Sequence, residues 1–365
     1  MVGQQERVLL CVIMTQDTSG DIPVTLDEIT PAWLSATLGV EVTDARSEPI
    51  GTGQMALCYR LYLTGADELP DTIVVKLPNP DPAMRELVAG VYRNESTFYR
   101  DIASTVDVRT PACYSVDFRD DGRFYLLLED MSRATQGDQI GGCTPEELYG
   151  VVRNLAGLHG PRWCDRSLVD IPGMVLNGPD DVEIMREFVP PSVEQFIEAE
   201  GERVPEEDHA LLREMAPLFR DWLLARQDER FALNHGDFRL DNLLFDPALE
   251  HGSVAVDFQT LSVALPGRDL AYTIGTSLSP EDRRAHEREL VSAYHEALGP
   301  EVTADFSLEQ CWDDYVFGMP QILLTSVLGQ VYGDKTERGA EMFAAMVRRG
   351  CTAIRDLGTM ERISA

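Results

Sequence analysis

The stretch that most constrains this chain runs from residue 234 to residue 245 and reads NHGDFRLDNLLF. Asp237 and Asn242 lie five residues apart in it, and an apolar run, residues 254–256, then leads to Asp257. A carboxylate on a tight loop and an amide five residues later can face the same side, and a second carboxylate from a neighbouring hairpin can complete the set. Oxygen ligands of this kind suit Mg²⁺, which keeps several waters and binds substrate phosphates. The pattern therefore indicates phosphoryl-transfer chemistry.

The same stretch keeps the spacing of the protein-kinase catalytic loop, H-R-D-L-x-x-x-N, and of the D-F-G motif that follows it. His235, Asp237 and Asn242 stand at the motif positions, and Gly236 replaces the arginine. Gln259 stands where the glycine of D-F-G would be. Phosphoryl transfer needs a carboxylate that accepts the proton of the attacking hydroxyl and oxygen ligands for the magnesium ions. Both requirements fit this spacing.

Charge and cysteine content limit the partners and the compartment. The formal net charge is −31, which argues against nucleic acid or a membrane surface as a partner because both are anionic. It weakly favours a neutral or cationic substrate, although a generally acidic cytoplasmic proteome explains it better. Seven dispersed cysteines without a C-x-x-C pair indicate reduced thiols and a cytoplasmic protein. The apolar run at residues 8–14 is too short to span a bilayer.

The order of predicted elements indicates two lobes of an α+β fold. Five strands with one helix inserted after the third are expected first, and helices dominate from residue 144 onward. We therefore predict a tail and entry helix over residues 1–44, a nucleotide-binding lobe over 45–132 and a helical lobe over 133–365, with a hinge near 130–133. No heptad pattern or exposed apolar face stands out, so no obligate protein partner is evident.

Gly51 and Gly53, with Ala56, fit two motifs. As G-x-G-x-x-A they match the dinucleotide fingerprint, with Asp71 where a ribose-binding acid could lie. That fingerprint requires a helix directly after the glycines. The following residues alternate like a strand, so a glycine flap over phosphates is the favoured interpretation and a plain hairpin turn is the default alternative.

Lys76 ends a strand-like run in a chain that has only one other lysine, Lys335. In kinases a lysine on the third strand contacts the α and β phosphates, and a glutamate on the next helix orients it. Glu95 is the candidate partner, and Glu86 on the same predicted helix, residues 86–103, competes with it.

Several polar residues near these motifs have simpler interpretations. His159 at the end of an apolar helix is expected to be a buried or capping residue, and His235 is expected to brace the loop. Asp241 is interpreted as an exposed loop acid. Asp269 could cap a helix or support the catalytic loop, and the supporting role is favoured over catalysis.

Only a few residues separate Asp257 from the segment PGRD (266–269), where a new helix is expected to begin, so the long activation segment of a regulated protein kinase is missing. The acceptor should therefore be a small molecule, held by helical inserts of residues 165–230 and by the C-terminal helices.

The segments HGDFRLDN (235–242), VDFQ (256–259) and GRDLAY (267–272) resemble the aminoglycoside phosphotransferase and choline-kinase-like superfamily, and within it the ecdysteroid-kinase-like branch and its bacterial relatives. The resemblance covers roughly residues 45–300 and implies a bilobal, protein-kinase-like α+β fold. It also implies an ATP- and Mg²⁺-dependent kinase that phosphorylates a hydroxyl of a small metabolite or antibiotic-like molecule. The superfamily motifs do not identify the acceptor.

By that resemblance, Asp237 is the catalytic base, Asn242 and Asp257 hold Mg²⁺, and Lys76 binds ATP phosphates. The hinge from Glu129 to Met131 would offer backbone groups to adenine. The flap lacks its third glycine, which leaves a nucleotide-binding pseudokinase acting as an interaction module as the alternative function.

Overall fold

The computed structural model describes residues 22–51, 55–226, 228–333 and 335–363. Within them the chain forms two compact units. The first contains the residues up to Ile102 together with Thr110–Ser132, and the second contains Ala103–Arg109 together with the residues from Arg133 onward. Residues 1–21 of the predicted tail lie outside the described part.

The first unit is built on one antiparallel sheet of five strands. Its spatial order is β1-β2-β3-β5-β4, so only the last two strands leave the chain order. Ile73, Val75 and Leu77 alternate along β3 and are fully buried, which is the period-two pattern of a strand that covers a core. The strands are β1 (Asp44–Ile50), β2 (Ala56–Thr64), β3 (Thr72–Pro78), β4 (Cys113–Phe118) and β5 (Phe124–Glu129).

The helices of the first unit are α1 (Pro31–Leu38), α2 (Pro82–Leu87) and α3 (Ala89–Thr97), and α3 continues as a π-helical turn, Phe98–Ile102. The single helix predicted over residues 86–103 therefore starts earlier and is interrupted. Asp81 caps α2 by accepting hydrogen bonds from the backbone N–H of Ala83 and Met84. The break falls at Val88, whose backbone leaves the helical region at φ −103° and ψ 14°.

The second unit is mostly helical. Its first long helix begins with a capping box, in which Thr144 and Glu147 satisfy each other's backbone N–H groups. None of the described helices combines the length and the apolar character that crossing a bilayer requires. The helices are α4 (Pro145–His159), α5 (Pro179–Val182), α6 (Met185–Glu200), α7 (Glu206–Met215), α8 (Phe219–Leu224), α9 (Gly267–Ser277), α10 (Pro280–Ala297), α11 (Pro300–Thr303), α12 (Leu308–Gly318), α13 (Pro320–Tyr332), α14 (Glu337–Leu357) and α15 (Thr359–Ile363).

In the second unit, short strands flank the catalytic loop. They are β6 (Thr135–Gln136), β7 (Ala232–Asn234), β8 (Leu243–Phe245), β9 (Ser253–Ala255) and β10 (Ser262–Ala264). β6, β8 and β9 form one small sheet, and β7 pairs with β10. The β8–β9 hairpin places Leu243 opposite Ala255, so the residues on either side of it, Asn242 and Asp257, are neighbours in space.

Candidate active site

The loop after β7 turns at Gly236, where the chain adopts φ +80°. A Cβ atom built on this glycine would lie 2.7 Å from the backbone oxygen of Thr260, which is closer than real Cβ atoms approach. Both the left-handed conformation and the close approach require glycine. This explains why glycine replaces the arginine of the protein-kinase motif.

Asp269, in the first turn of α9, holds this turn in place. Its two carboxylate oxygens accept hydrogen bonds from the backbone N–H groups of His235 (2.6 Å) and Gly236 (3.0 Å), and the side chain is buried. His159 also lies against it, with Nε2 3.4 Å from Oδ2, and its Nδ1 is 2.7 Å from the Tyr294 hydroxyl. Asp269 thus supports the catalytic loop, and His159 is a buried residue with two partners.

His235 is held by both ring nitrogens. Nδ1 accepts a hydrogen bond from the backbone N–H of Asp237 (3.3 Å), and Nε2 faces the carbonyl oxygen of Val256 at 3.1 Å. These partners assign the proton to Nε2, because a carbonyl oxygen can only accept. The ring therefore braces the loop, as predicted, and links it to the segment that leads into Asp257.

The Asp237 carboxylate is oriented by three donors. Tyr272 donates to Oδ1 (2.7 Å), while Arg239 Nε (3.1 Å) and Asn242 Nδ2 (2.9 Å) donate to Oδ2. The Asp237 side chain is still 21% exposed, so it remains accessible to a reactant. Burial raises the pKa of Tyr272 well above its usual value, and the neighbouring Asp237 carboxylate raises it further, so this phenol stays a donor.

Arg239 also contacts α14. Its Nη1 lies 2.8 Å from the sulfur of Met342, and its guanidinium lies 6.0 Å from the centre of the Phe343 ring. Burial favours the neutral form, but Asp237, Tyr272 and Asp241 together outweigh it and raise the pKa of Arg239. Arg239 is therefore a permanent cation beside the carboxylate.

The amide of Asn242 is fixed in a way that leaves its oxygen available. Its nitrogen donates to the backbone oxygen of Asp237 (2.9 Å) as well as to Oδ2, and within the described residues its side-chain oxygen accepts no hydrogen bond. The backbone N–H of Val256 donates to the Asn242 carbonyl (3.0 Å), which keeps the following Asp257 beside it. Asp257 adopts the left-handed conformation (φ 68°), unusual for a non-glycine residue and frequent at functional sites.

One amide oxygen and one carboxylate fit Mg²⁺, which takes few protein ligands and completes its shell with water and phosphate. The donor set is too small for an all-protein metal site. In line with this, the described residues contain no group of three or more His, Cys, Asp and Glu side chains arranged to hold a metal ion.

The interpretation of Asp241 as an exposed loop acid was wrong. Its side chain is 12% exposed, and both oxygens accept hydrogen bonds from Arg338 on α14 (2.8 and 2.9 Å). Oδ1 also accepts from the backbone N–H of Gln139 (3.0 Å). Burial opposes the charge, but the Arg338 hydrogen bond and the other donors keep the pKa of Asp241 below its usual value. Asp241 ties the catalytic loop to α14.

In the first unit, Lys76 on β3 pairs with Glu95 on α3. The Lys76 Nζ lies 2.9 Å from Oε1 and 2.7 Å from Oε2 of the glutamate, and both side chains are buried. The competing candidate, Glu86, is exposed on α2. The pair that forms is therefore Lys76–Glu95.

The other proposed nucleotide-binding residues belong to the first unit as well. Gly51 follows β1 with φ +70°, whereas Gly53 lies outside the described residues. β2 starts at Ala56, so a strand and not a helix follows the glycines, which rules out the dinucleotide fingerprint. Glu129 ends β5 and accepts a hydrogen bond from the backbone N–H of Ala112 (3.0 Å), and Met131 follows it, half-buried.

Comparison with known proteins identifies the family. The sequence model of the ecdysteroid kinase-like family matches residues 51–304, more than half of the chain. The chain belongs to the ecdysteroid kinase-like family. No curated protein sequence matches this ecdysteroid kinase-like protein.

Solved structures confirm the predicted α+β, protein-kinase-like fold. Choline kinase from Cryptosporidium parvum Iowa II is 13% identical with a TM-score of 0.57, over 92% of this chain and 96% of that one. A Ralstonia eutropha JMP134 protein, named provisionally as an aminoglycoside phosphotransferase, is 18% identical with a TM-score of 0.51, over 89% and 97%. At these identities the likeness concerns the fold.

Two residues that contact Asp237 in this ecdysteroid kinase-like protein, Arg239 and Tyr272, received no role from the sequence. Both lie inside the motifs that carry the resemblance, but neither motif says which way they point. For Tyr272 a signal existed: it lies three residues after Asp269, one turn along the same helix, and could therefore face the same loop.

Proposed function

We propose that this ecdysteroid kinase-like protein transfers the γ-phosphoryl group of ATP to a hydroxyl group of a small-molecule acceptor. The observation that carries the proposal is the arrangement around Asp237, in which an accessible carboxylate is fixed by Tyr272, Arg239 and Asn242. The family membership and the protein-kinase-like fold support the same reaction class.

Asp237 would accept the proton of the attacking hydroxyl. Its orientation favours this role, because the three donors fix the carboxylate plane and leave part of its surface accessible. Positioning is the main contribution that a protein makes to phosphoryl transfer, since little covalent chemistry is left for it to do. Arg239 would additionally stabilise the negative charge on Asp237 until the proton arrives.

Asn242 and Asp257 would hold Mg²⁺. When bound, this ion neutralises charge on the phosphates of ATP. The hydrogen bonds of the Asn242 nitrogen determine which atom of the amide is turned toward a metal, and β8 and β9 keep Asp257 next to it. His235 keeps this geometry by bridging the loop and Val256.

In the first unit, Lys76 would contact the α and β phosphates of ATP. Glu95 holds the ammonium group through both of its oxygens, so the lysine side chain is ordered before a nucleotide arrives. Gly51 would allow close approach of the backbone to the phosphates, and the backbone of residues 129–131 would contact adenine. Gly53 remains part of the proposed flap from sequence alone.

A small acceptor fits the short connection between Asp257 and α9. A 3₁₀ turn, Phe258–Thr260, and strand β10 fill residues 258–264, and α9 starts at Gly267. This leaves no room for an activation segment or for a platform that binds a peptide. Choline kinase, which shares the fold, acts on a small alcohol, consistent with an acceptor of this size.

The test is turnover of Mg-ATP with a panel of small alcohols, followed as ADP formation that depends on the alcohol. Asp237→Asn keeps the size of the side chain and should lower kcat by about 10²–10⁴-fold, the usual contribution of a positioned general base. Asp120→Asn is the matched control, because Asp120 lies on the β4–β5 turn with 92% of its side chain exposed. It should leave kcat unchanged.

The pseudokinase alternative makes the opposite prediction. Its support is the missing third glycine, at Ala56, which is a buried residue at the start of β2. Tight ATP binding without turnover of any alcohol would favour that alternative. ADP formation that Asp237→Asn does not reduce would contradict the proposed role of the aspartate.

A further inference from the structure

Arg268, on α9, is a partly buried cation without a carboxylate partner. Its Nε and Nη2 both donate to one oxygen of Gln321, at 2.9 and 2.7 Å, and its guanidinium lies over the Trp222 ring at 4.9 Å. Within the described part of the chain, Nη1 has no hydrogen-bond acceptor, and it is not among the atoms sealed from solvent. A guanidinium has five N–H donors, so most of this hydrogen-bonding capacity is unused.

The surroundings make this unusual. The chain has twice as many acidic as basic residues, 62 against 31, and most of its arginines pair with a carboxylate. Arg349 on α14 also lacks an acid, but it donates to the backbone oxygens of Gln139, Ile140 and Thr276 and so uses its donors. Arg268 Nη1 is accessible to solvent, so it can donate to an acceptor that the described residues do not supply.

Burial lowers the pKa of Arg268 to about 10, and the nearby Asp269 offsets part of that effect. The group remains charged at neutral pH. Among the described residues Asp269 forms no ion pair with Arg268, and its oxygens contact the backbone of the catalytic loop and His159 instead.

The position of Arg268 connects it with the proposed active site. Arg268 and Tyr272 lie four residues apart on α9, so they share one face of the helix with Cβ atoms about 5–6 Å apart. Helical side chains lean toward the N-terminus, which directs Tyr272 over the turn that holds Arg268. The Tyr272 hydroxyl contacts Asp237, so Arg268 belongs to the same face of α9 as a residue that orients the proposed base.

The neighbouring groups hold the guanidinium in one orientation. Gln321 presents its oxygen to Arg268 because its nitrogen is used by Thr325 (2.8 Å) on the next turn of α13. The Trp222 nitrogen donates to the backbone oxygen of Phe317 (2.7 Å), which fixes the ring against which Arg268 stacks. A rigid, half-satisfied guanidinium on an aromatic face is the arrangement that binds planar oxyanions.

We propose that Arg268 is the specificity-determining residue for an acceptor that carries a carboxylate as well as the hydroxyl to be phosphorylated. This rests on the proposed function and narrows it from small alcohols to small hydroxy acids. The net charge of the chain alone weakly favours a neutral or cationic substrate. The negative charge of the whole chain repels an anionic acceptor. A fixed local cation such as Arg268 would allow such an acceptor to bind despite that repulsion.

The experiment compares pairs of hydroxy acids and their methyl esters as acceptors for the purified full-length protein with Mg-ATP. The acids should be the substrates, with the esters at least 10-fold poorer in kcat/KM. Arg268→Gln should raise KM for the acids about 10- to 100-fold, the typical strength of hydrogen bonds to charged groups, and change kcat little. Arg268→Lys, which keeps the charge but not the fork geometry, should recover part of the affinity.

Arg288→Gln is the matched control. Arg288 also stacks on a tryptophan, Trp312, at 3.4 Å, but it lies exposed on α10. Its replacement should leave KM for the acids unchanged. The melting temperature of each variant separates loss of recognition from loss of folding, since a purely structural role for Arg268 would lower the melting temperature of Arg268→Gln without an acid-specific change in KM.

A second readout separates this inference from the kinase proposal. Binding of the same acids without ATP is measured by tryptophan fluorescence, using the ring of Trp222 as the reporter. Acid binding that Arg268→Gln abolishes, without turnover of any acid, would support the oxyanion site and count against the kinase. Equal use of acids and esters, an unchanged KM in Arg268→Gln, or no acid binding at all would overturn the inference.

Discussion

The two regions assigned to phosphoryl transfer are fixed in different ways. In the second unit, the catalytic loop is held through its backbone: Asp269 binds two of its N–H groups, and Thr260 donates to the His235 carbonyl (2.7 Å). In the first unit, the central feature is one side-chain pair, Lys76–Glu95. The contrast is that the catalytic loop around Asp237 is held by several backbone contacts, whereas the Lys76 ammonium is held by the paired oxygens of one glutamate, Glu95.

This difference separates two kinds of mutational effect. Where a loop is held by its backbone, removing one supporting side chain should reduce stability and activity together, because the whole turn relaxes. Where one ion pair positions a cation, removing the cation should reduce activity far more than stability can account for. The following predictions test that distinction, beginning with the largest effect.

Lys76→Met should lower kcat/KM for ATP by about 10²–10³-fold, the usual cost of removing a group that stabilises charge in the transition state. Lys335→Met is the control, since Lys335 is the only other lysine of the chain and its Nζ donates to the Val331 carbonyl at the end of α13 (2.9 Å). The control should change kcat/KM less than threefold. Equal effects of the two variants would contradict a role for Lys76 in binding ATP.

Lys76→Met also tests how much the buried Lys76–Glu95 pair contributes to stability. Glu95 is 1% exposed, so loss of its ammonium partner should cost about 3 kcal/mol in the free energy of unfolding. The double variant Lys76→Met/Glu95→Leu should regain much of that stability and none of the activity. Urea unfolding and ATP turnover measured on the same samples separate the two effects, and recovered activity in the double variant would contradict the proposed role.

Asp269→Ala should destabilise the protein by about 2–6 kcal/mol, because the backbone N–H groups of His235 and Gly236 lose their acceptor at about 1–3 kcal/mol each. Turnover should fall as well, since the Gly236 turn is no longer held. The exposed Asp305→Ala is the control and should unfold like the wild type. A fully stable but inactive Asp269→Ala would instead assign the aspartate to the chemistry.

Many of these elements and site residues could be predicted from the sequence. The features that could not be predicted have a physical reason. The strand-like run that ends at Lys76 predicted β3, and the spacing of Asp237 and Asn242 predicted a shared loop, because both follow from local sequence. The break at Val88 was missed because no proline or glycine stands at it, and the nearby Gly90 lies inside α3. The burial of Asp241 was missed because its partner lies on α14, and pairing over such a distance leaves no local pattern.

Tyr272→Phe tests the orientation of Asp237 with a smaller change. It removes one hydrogen bond to the Asp237 carboxylate and should lower kcat about tenfold, within the range for a bond to a charged group. Tyr149→Phe is matched, because Tyr149 also donates to a carboxylate, Glu289, at 2.7 Å on an exposed surface. It should leave kcat unchanged. If Tyr272→Phe also leaves kcat unchanged, the hydrogen bonds from Arg239 and Asn242 are sufficient to position Asp237.

The smallest effect concerns Asp241, which ties the catalytic loop to α14. Its pKa is lowered in the folded state, so its ionised form contributes stability at pH values above the unfolded pKa of about 3.9, and that contribution disappears as the pH falls through the folded pKa. Arg338→Gln should remove the share of this stability that comes from the hydrogen bonds between Arg338 and Asp241. Arg338 is 56% exposed, so the loss at pH 7 should stay below about 1 kcal/mol.

The sign of this pH dependence distinguishes the pair from a general loss of stability. The difference in urea midpoint between wild type and Arg338→Gln should be constant from pH 7 to pH 5 and should shrink toward zero as Asp241 becomes protonated. Arg153→Gln, an exposed arginine that lies over the Tyr149 ring, should show no such pH-dependent difference. A difference that persists at acidic pH would mean that Arg338 acts through packing of α14, and the catalytic loop would then depend less on that helix than its hydrogen bonds indicate.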